Sequence, residues 1–365
     1  RVVWVRSGQR IDSAGPSDPP LSGSAGAIPA GPGSTDRAAW HVGAPPLDEP
    51  GQYGDFAVVT AALDKMSVLP DFSSDIPLRW IHRRDGGTEI YFVANPEPRV
   101  LEATAVFRVD GKRPELWDPL DGTSRGLARY AHAAGRTSVP LRFEPHQSFF
   151  IVFREGTAPA SGSAPSSPVD ANFSVPVEAA SLGGPWDIAF DPNWGGPEKI
   201  TFRSLEDWSL RPEEGIKYYS GTAVYRQTFD LPRASPAKSG RLWLDLGTVK
   251  NIASVRLNGR DLGVVWCDPW RVDITDAVKP KANRLEIRVA NLWPNRLIGD
   301  EREPADAEYA PGGNLARWPD WLLKGEPRPS ASRLTFATWK HYDKDSPLLP
   351  SGLLGPVRLL ACRVP

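Results

Sequence analysis

Two cysteines and one methionine occur in 365 residues, and no apolar run reaches the 18 residues of a membrane-spanning helix. No disulfide framework therefore holds this fold, although Cys267 and Cys362 leave a single bridge open. Five histidines are scattered without metal-ligand spacing, and Cys-x-x-Cys is missing, so zinc has no support. A Gly-x-Ser-x-Gly elbow and a strand-to-helix GxGxxG are also missing, which removes serine hydrolase and dinucleotide chemistry. The 43 basic and 44 acidic side chains nearly cancel, leaving no cationic footprint for nucleic acid. The first residues, RVVWVRSGQR, contain no initiator Met and no apolar core of signal-peptide length. The chain thus reads as cut from something longer, and its compartment is left open.

What is abundant points to loop-rich β structure: 14 Trp alongside 38 Pro and 33 Gly. Residues 218–274 carry the clearest pattern. Short runs of alternating apolar residues, such as Leu242, Leu244 and Leu246, are each stopped by Gly, Pro or Asn-Gly. Alternation closed by Asn258-Gly259 is a hairpin signal, and several such strands at close spacing predict a two-sheet antiparallel sandwich. The same alternation runs from Ile76 to Arg154, with Asp85-Gly86-Gly87 and Asp110-Gly111 as hairpin turns. The fold class is therefore all-β, with two β-sandwich domains.

Composition divides the chain further. Residues 1–66 form a Gly/Pro/Ser-rich arm, either disordered or lying across the next domain, with a short helix expected near Gly54 to Lys65. Residues 67–155 form a small sandwich, 156–172 a Ser/Pro/Ala/Gly linker, and 173–365 a jelly roll whose last strand pairs with an early one.

Three motifs of the jelly roll resemble those of the galactose-binding-like sugar-binding domains of glycoside hydrolases. They are Tyr219 to Phe229 (Tyr-x-Gly-x-x-x-Tyr-Arg-x-x-Phe), Leu257 to Gly263 (Leu-Asn-Gly-x-x-Leu-Gly) and Val272 to Thr275 (Val-Asp-Ile-Thr). More widely, IHRRDGGTEIYFVANP, LWDP at Leu116, and TFATWKHYDKDSPLLPSGLLGPVRL resemble the carboxy-terminal half of glycoside hydrolase family 106, which contains α-L-rhamnosidases. That resemblance implies a carbohydrate ligand or substrate and a catalytic (β/α)8 barrel ahead of these domains. A barrel takes roughly 250 residues, and the 66 before the first sandwich are too few.

Glycoside hydrolysis needs two carboxyl groups flanking the scissile bond. Asp300 and Glu301, in a polar turn after NLWPNRLIG, are the first catalytic candidates, followed by Glu198 beside a Gly-Gly bend. Solvated loop carboxylates are the competing reading. Trp194, Tyr218, Tyr219, Arg296, Trp339 and His341 are the candidate sugar platform, because aromatic faces stack on sugar rings while fixed polar groups bind hydroxyls. The competing reading is loop packing. Trp243 and Trp266 fall within strands and are expected in the core. No cofactor is implied; Asp191, Asp343 and Asp345 are calcium candidates, as oxygen-rich loops suit a hard cation. Two functions follow: a rhamnosidase-like glycosidase acting through the jelly-roll loops, or a non-catalytic carbohydrate-binding fragment of a larger glycoside hydrolase. A protein-interaction sandwich without sugar affinity gains nothing from the motifs.

Overall fold

The computed structural model describes residues 56–155, 172–232 and 240–363. Most of the expected N-terminal arm and nearly all of the linker lie outside these residues. A helix spans Phe56–Lys65, as its apolar spacing predicts, and none of its described side chains is buried.

Alternation becomes antiparallel pairing wherever one face of a strand can leave water. In Leu101–Phe107, Leu101, Ala103, Ala105 and Phe107 are buried while Glu102 and Thr104 are exposed. This strand joins Phe72–Ser74, Arg136–Phe143 and Ala131–Ala133 in one sheet. A second sheet runs Arg79–Asp85, Thr88–Ala94, Ser148–Arg154, Arg113–Trp117 and Ser124–Gly126. Tyr91, Phe107, Phe143, Phe149 and Phe153 fill the space between them, each worth roughly 1.5–3 kcal/mol on burial. Gly86 and Gly87 form the expected two-residue turn, with Asp85 opposite Thr88. Asp110-Gly111 is no hairpin: the strands flanking it belong to different sheets, so the turn carries the chain across the sandwich.

One ionic cluster ties this sandwich together. His82 contacts Asp71 through Nδ1 at 2.9 Å and Glu89 through Nε2 at 3.0 Å, and stacks on Tyr91. Carboxylates only accept, so the ring satisfies both when it carries two protons. Burial opposes that charge, but the bonds to Asp71 and Glu89 prevail and raise the histidine's pKa. Arg84, Arg108 and Lys112 also face these two carboxylates, and Tyr91 donates to Asp71. A raised folded pKa gives stability that is full below the unfolded value near 6.5 and is lost as pH climbs through the folded one. The melting temperature should therefore fall between pH 5.5 and pH 8.5, and His82→Gln should flatten that slope. An equal slope in the variant would place the dependence elsewhere.

The second sandwich opposes a six-stranded sheet to a four-stranded one. The six strands are ordered Ile200–Phe202, Trp186–Ala189, Thr222–Phe229, Asn283–Ala290, Ile252–Leu257 and Arg260–Val265. The four are Val177–Ser181, Arg358–Arg363, Gly240–Asp245 and Arg271–Asp273, so the last strand pairs with an early one. Asn258 and Gly259, both at positive φ, close the predicted hairpin, and the Asn258 side chain donates to the Ala277 carbonyl and to Asn283. Trp266 is not core: it follows the strand end and is 62% exposed. Phe173 packs on the first core, beside Phe149, although it precedes the strands of the second. Arg271 links the two sandwiches, reaching Glu144 at 3.3 Å while lying near Asp245.

Candidate functional site

At one end of the jelly roll three segments converge. Asp191 caps a 3-10 turn over Pro192–Trp194 by accepting from the Asn193 N–H. Gly196 follows, where a Cβ would sit 2.4 Å from Phe190 and 2.9 Å from the Tyr219 ring, so only glycine allows this close approach. The strand ending at Ala290 leads into a helix, Pro294–Asp300, with Pro in its first turn, where no N–H is needed. Asn295 on this helix donates to the Leu349 carbonyl and accepts from the Leu349 N–H, fixing the returning chain.

Asp300 closes the helix and is only 1% exposed. Its carboxylate accepts from Arg296 at 2.9 Å, from the Thr335 N–H at 2.7 Å and hydroxyl at 2.6 Å, and from the Leu334 N–H. Glu301 is equally committed, to Arg333 at 2.7 Å and Lys340 at 3.1 Å. Arg328 bonds Asp306 and also donates to the Arg333 and Thr335 carbonyls. A long segment with little regular structure, 301–349, is thus held by buried and half-buried ion pairs. The sequence reading named Asp300, Glu301 and Arg296 but not Arg328, Arg333 or Thr335. The signal for the two arginines was the run of cations in KGEPRPSASRL, which has no periodicity to place it.

The structure separates the proposed platform residues by exposure. Tyr219 is fully buried, its hydroxyl donating to the Thr222 carbonyl and accepting from the Asp191 N–H. Tyr218 is 8% exposed, with Lys217 and Arg302 each 5.7 Å from its ring centre. Arg296 is buried beneath Asp300. Trp194 is half-buried and meets the exposed Trp293 edge to face at 5.4 Å. Trp339 is 46% exposed and His341 is exposed beside it. Glu198 is exposed on the chain after Gly196.

Trp339, Lys340, His341 and Tyr342 form one wall of a cleft whose floor includes Asp300, Glu301, Arg333 and Thr335. Its free volume is about 20 Å³, room for a water or one hydroxyl rather than a sugar ring. Among the described residues, no three His, Cys, Asp or Glu side chains converge on a point that could hold a metal ion. Asp191 and Asp343 are instead engaged in capping their own turns.

Residues 51–132 match the family model of alpha-L-rhamnosidase, glycoside hydrolase family 106, and residues 211–333 match the galactose-binding-like domain of glycosyl hydrolase family 2. Both are glycoside hydrolase models. The chain is 48% identical over 186 residues to a putative beta-glucuronidase of Formosa agariphila, covering 51% of this chain and 16% of that protein. A rhamnosidase structure from Novosphingobium sp. PP1Y aligns with a TM-score of 0.66 at 36% identity, over 83% of this chain and 26% of that one. The chain therefore spans about a quarter or less of these relatives. The recognised glycoside hydrolase domains and the all-β fold agree with the resemblance read from the motifs.

Proposed function

We propose that these glycoside hydrolase β domains hold a saccharide at the loop end of the jelly roll without hydrolysing it through their own side chains. One observation carries the reading: Asp300 is paired with Arg296 and filled with hydrogen bonds from Leu334 and Thr335, and the adjacent Glu301 is paired with both Arg333 and Lys340. Glycoside hydrolysis requires one carboxyl group free to give a proton and a second free to attack or to activate water. Neither of these is free. What the same cleft offers outward is the Trp339 indole, with His341 and Lys340 beside it. A sugar ring would lie on that indole, and one hydroxyl would enter the small cleft. Rhamnose-bearing glycosides are the first ligands to try, given the likeness to a rhamnosidase. The bond-breaking step is assigned to portions of the relatives that these domains do not match.

Trp339→Ala should weaken binding of a rhamnose-bearing oligosaccharide by about tenfold, or about 1.4 kcal/mol. Calorimetric titration against the parent chain checks it. The half-exposed ring contributes little to packing, so the melting temperature should change by only a degree or two. Unchanged affinity would move the ligand away from this cleft.

A further inference from the structure

The outer face of the six-stranded sheet carries a feature that the loop cleft does not share. Alternation sends Arg226, Arg256 and Arg284 outward from three adjacent strands, and Lys279 joins them at the Asn258-Gly259 end. Together they line a shallow concavity on that face, open to solvent. Strand register fixes the spacing. Arg226 and Arg256 both stand opposite Glu286, on either side of it, and so lie about 10 Å apart, two strand spacings. Arg284 lies diagonal to both, two residues before Glu286.

Among the described residues, Arg226 alone of these four cations is paired with a nearby carboxylate, Glu286. Glu286 accepts from Arg226 through one oxygen and from Arg288 through the other, both at 3.0 Å. Burial pushes its carboxyl up, but the bonds and charge of Arg288 and Arg226 outweigh that and hold it below the usual range. Asp261, paired with Arg256 across the next strand, accepts from the Gly263 N–H, and Asp187 accepts from Thr201. Among the described residues, Arg256, Arg284 and Lys279 are left without a carboxylate within ion-pair distance. Guanidinium forks match planar carboxylates with two parallel bonds, and strands hold them more rigidly than loops do.

We propose that this sheet face is a second saccharide site, separate from the loop cleft, which takes uronate-bearing chains through Arg256 and Arg284. Arg256 and Arg284 sit diagonally on adjacent strands, so two carboxylates of one chain can reach them, and the exposed Thr228, opposite Arg284, suits a sugar hydroxyl.

The test is titration of the chain with tetragalacturonate, its fully methyl-esterified counterpart and a sulfated galactan oligomer at low salt. Tetragalacturonate should bind and the ester should not, and affinity should fall as salt screens these exposed charges. Combining Arg256→Ser with Arg284→Ser should weaken tetragalacturonate binding by at least tenfold. Both side chains are exposed, so an unchanged melting temperature confirms that the variant is folded. Trp339→Ala should leave tetragalacturonate binding intact. Equal binding of acid and ester, no loss in the double variant, loss on Trp339→Ala, or binding of the sulfated oligomer alone would each overturn the proposal.

Discussion

Replacing Asp300 with Ala should lower the melting temperature by roughly 6 to 20 °C. The carboxylate is buried, and its removal strips the buried Arg296 guanidinium of the oxygen it faces at 2.9 Å. Breaking a buried pair by deleting one partner costs about 3–5 kcal/mol, because the remaining charge stays uncompensated. For a domain of this size each kcal/mol moves the melting temperature by about 2–4 °C. The Leu334 and Thr335 N–H groups lose their acceptor as well, so the 333–342 segment should loosen first. Saccharide binding would fall with it, but through lost anchoring and not through lost chemistry. Calorimetry on the purified variant reads the effect, and a drop below two degrees would show that this pair does not hold the loop.

Trp208→Ala should be about as damaging, costing about 3–5 kcal/mol, the range for truncating a buried aromatic. The indole is fully buried and packs edge-on against Phe190 at 5.2 Å and Tyr219 at 5.7 Å. Its N–H donates to the Tyr225 hydroxyl at 2.6 Å, and that hydroxyl also accepts from the Leu353 N–H. Gly352 approaches so closely that a Cβ there would lie 2.4 Å from the indole nitrogen. The ring therefore joins the Asp207 turn, the Thr222–Phe229 strand and the returning chain at one point. Trp208→Phe keeps most of the volume and loses only the donor, so it should cost about 1–3 kcal/mol. Chemical denaturation of the two variants separates packing from hydrogen bonding. Equal losses would mean that the hydrogen bond, not the volume, carries the site.

The strands were legible because burial on one face imposes a two-residue period, and the Asn258-Gly259 turn because few dipeptides adopt two successive positive φ values. Asp110-Gly111 misled for the same reason in reverse. Its composition announces a turn, but nothing local says whether the chain returns within its sheet or crosses to the other. Trp266 misled because it follows an alternating run, where only the end of pairing at Val265 leaves it outside the core. The loop end was half legible. Asp300 and Arg296 are four apart on one helix and could be named together, yet Thr335 reaches Asp300, and Arg333 reaches Glu301, from more than thirty residues away. Contacts of that separation leave no period to read. Tyr219 lies in a motif that suggests sugar contact, while its buried hydroxyl bridges two backbone groups. The arginines of TAVYRQTF, SVRLNG and NRLEIRVA sit at outward positions in plain alternation. What alternation cannot show is that the three strands lie side by side.

The central claim is that these domains hold a saccharide and leave its glycosidic bond intact. Proton NMR of the chain mixed with a rhamnose-bearing oligosaccharide reads both parts in one sample. The account predicts a shift of the Trp339 indole resonance on titration and anomeric signals that stay unchanged over hours. Steady appearance of free-sugar anomeric signals, with the indole resonance unmoved, would contradict it.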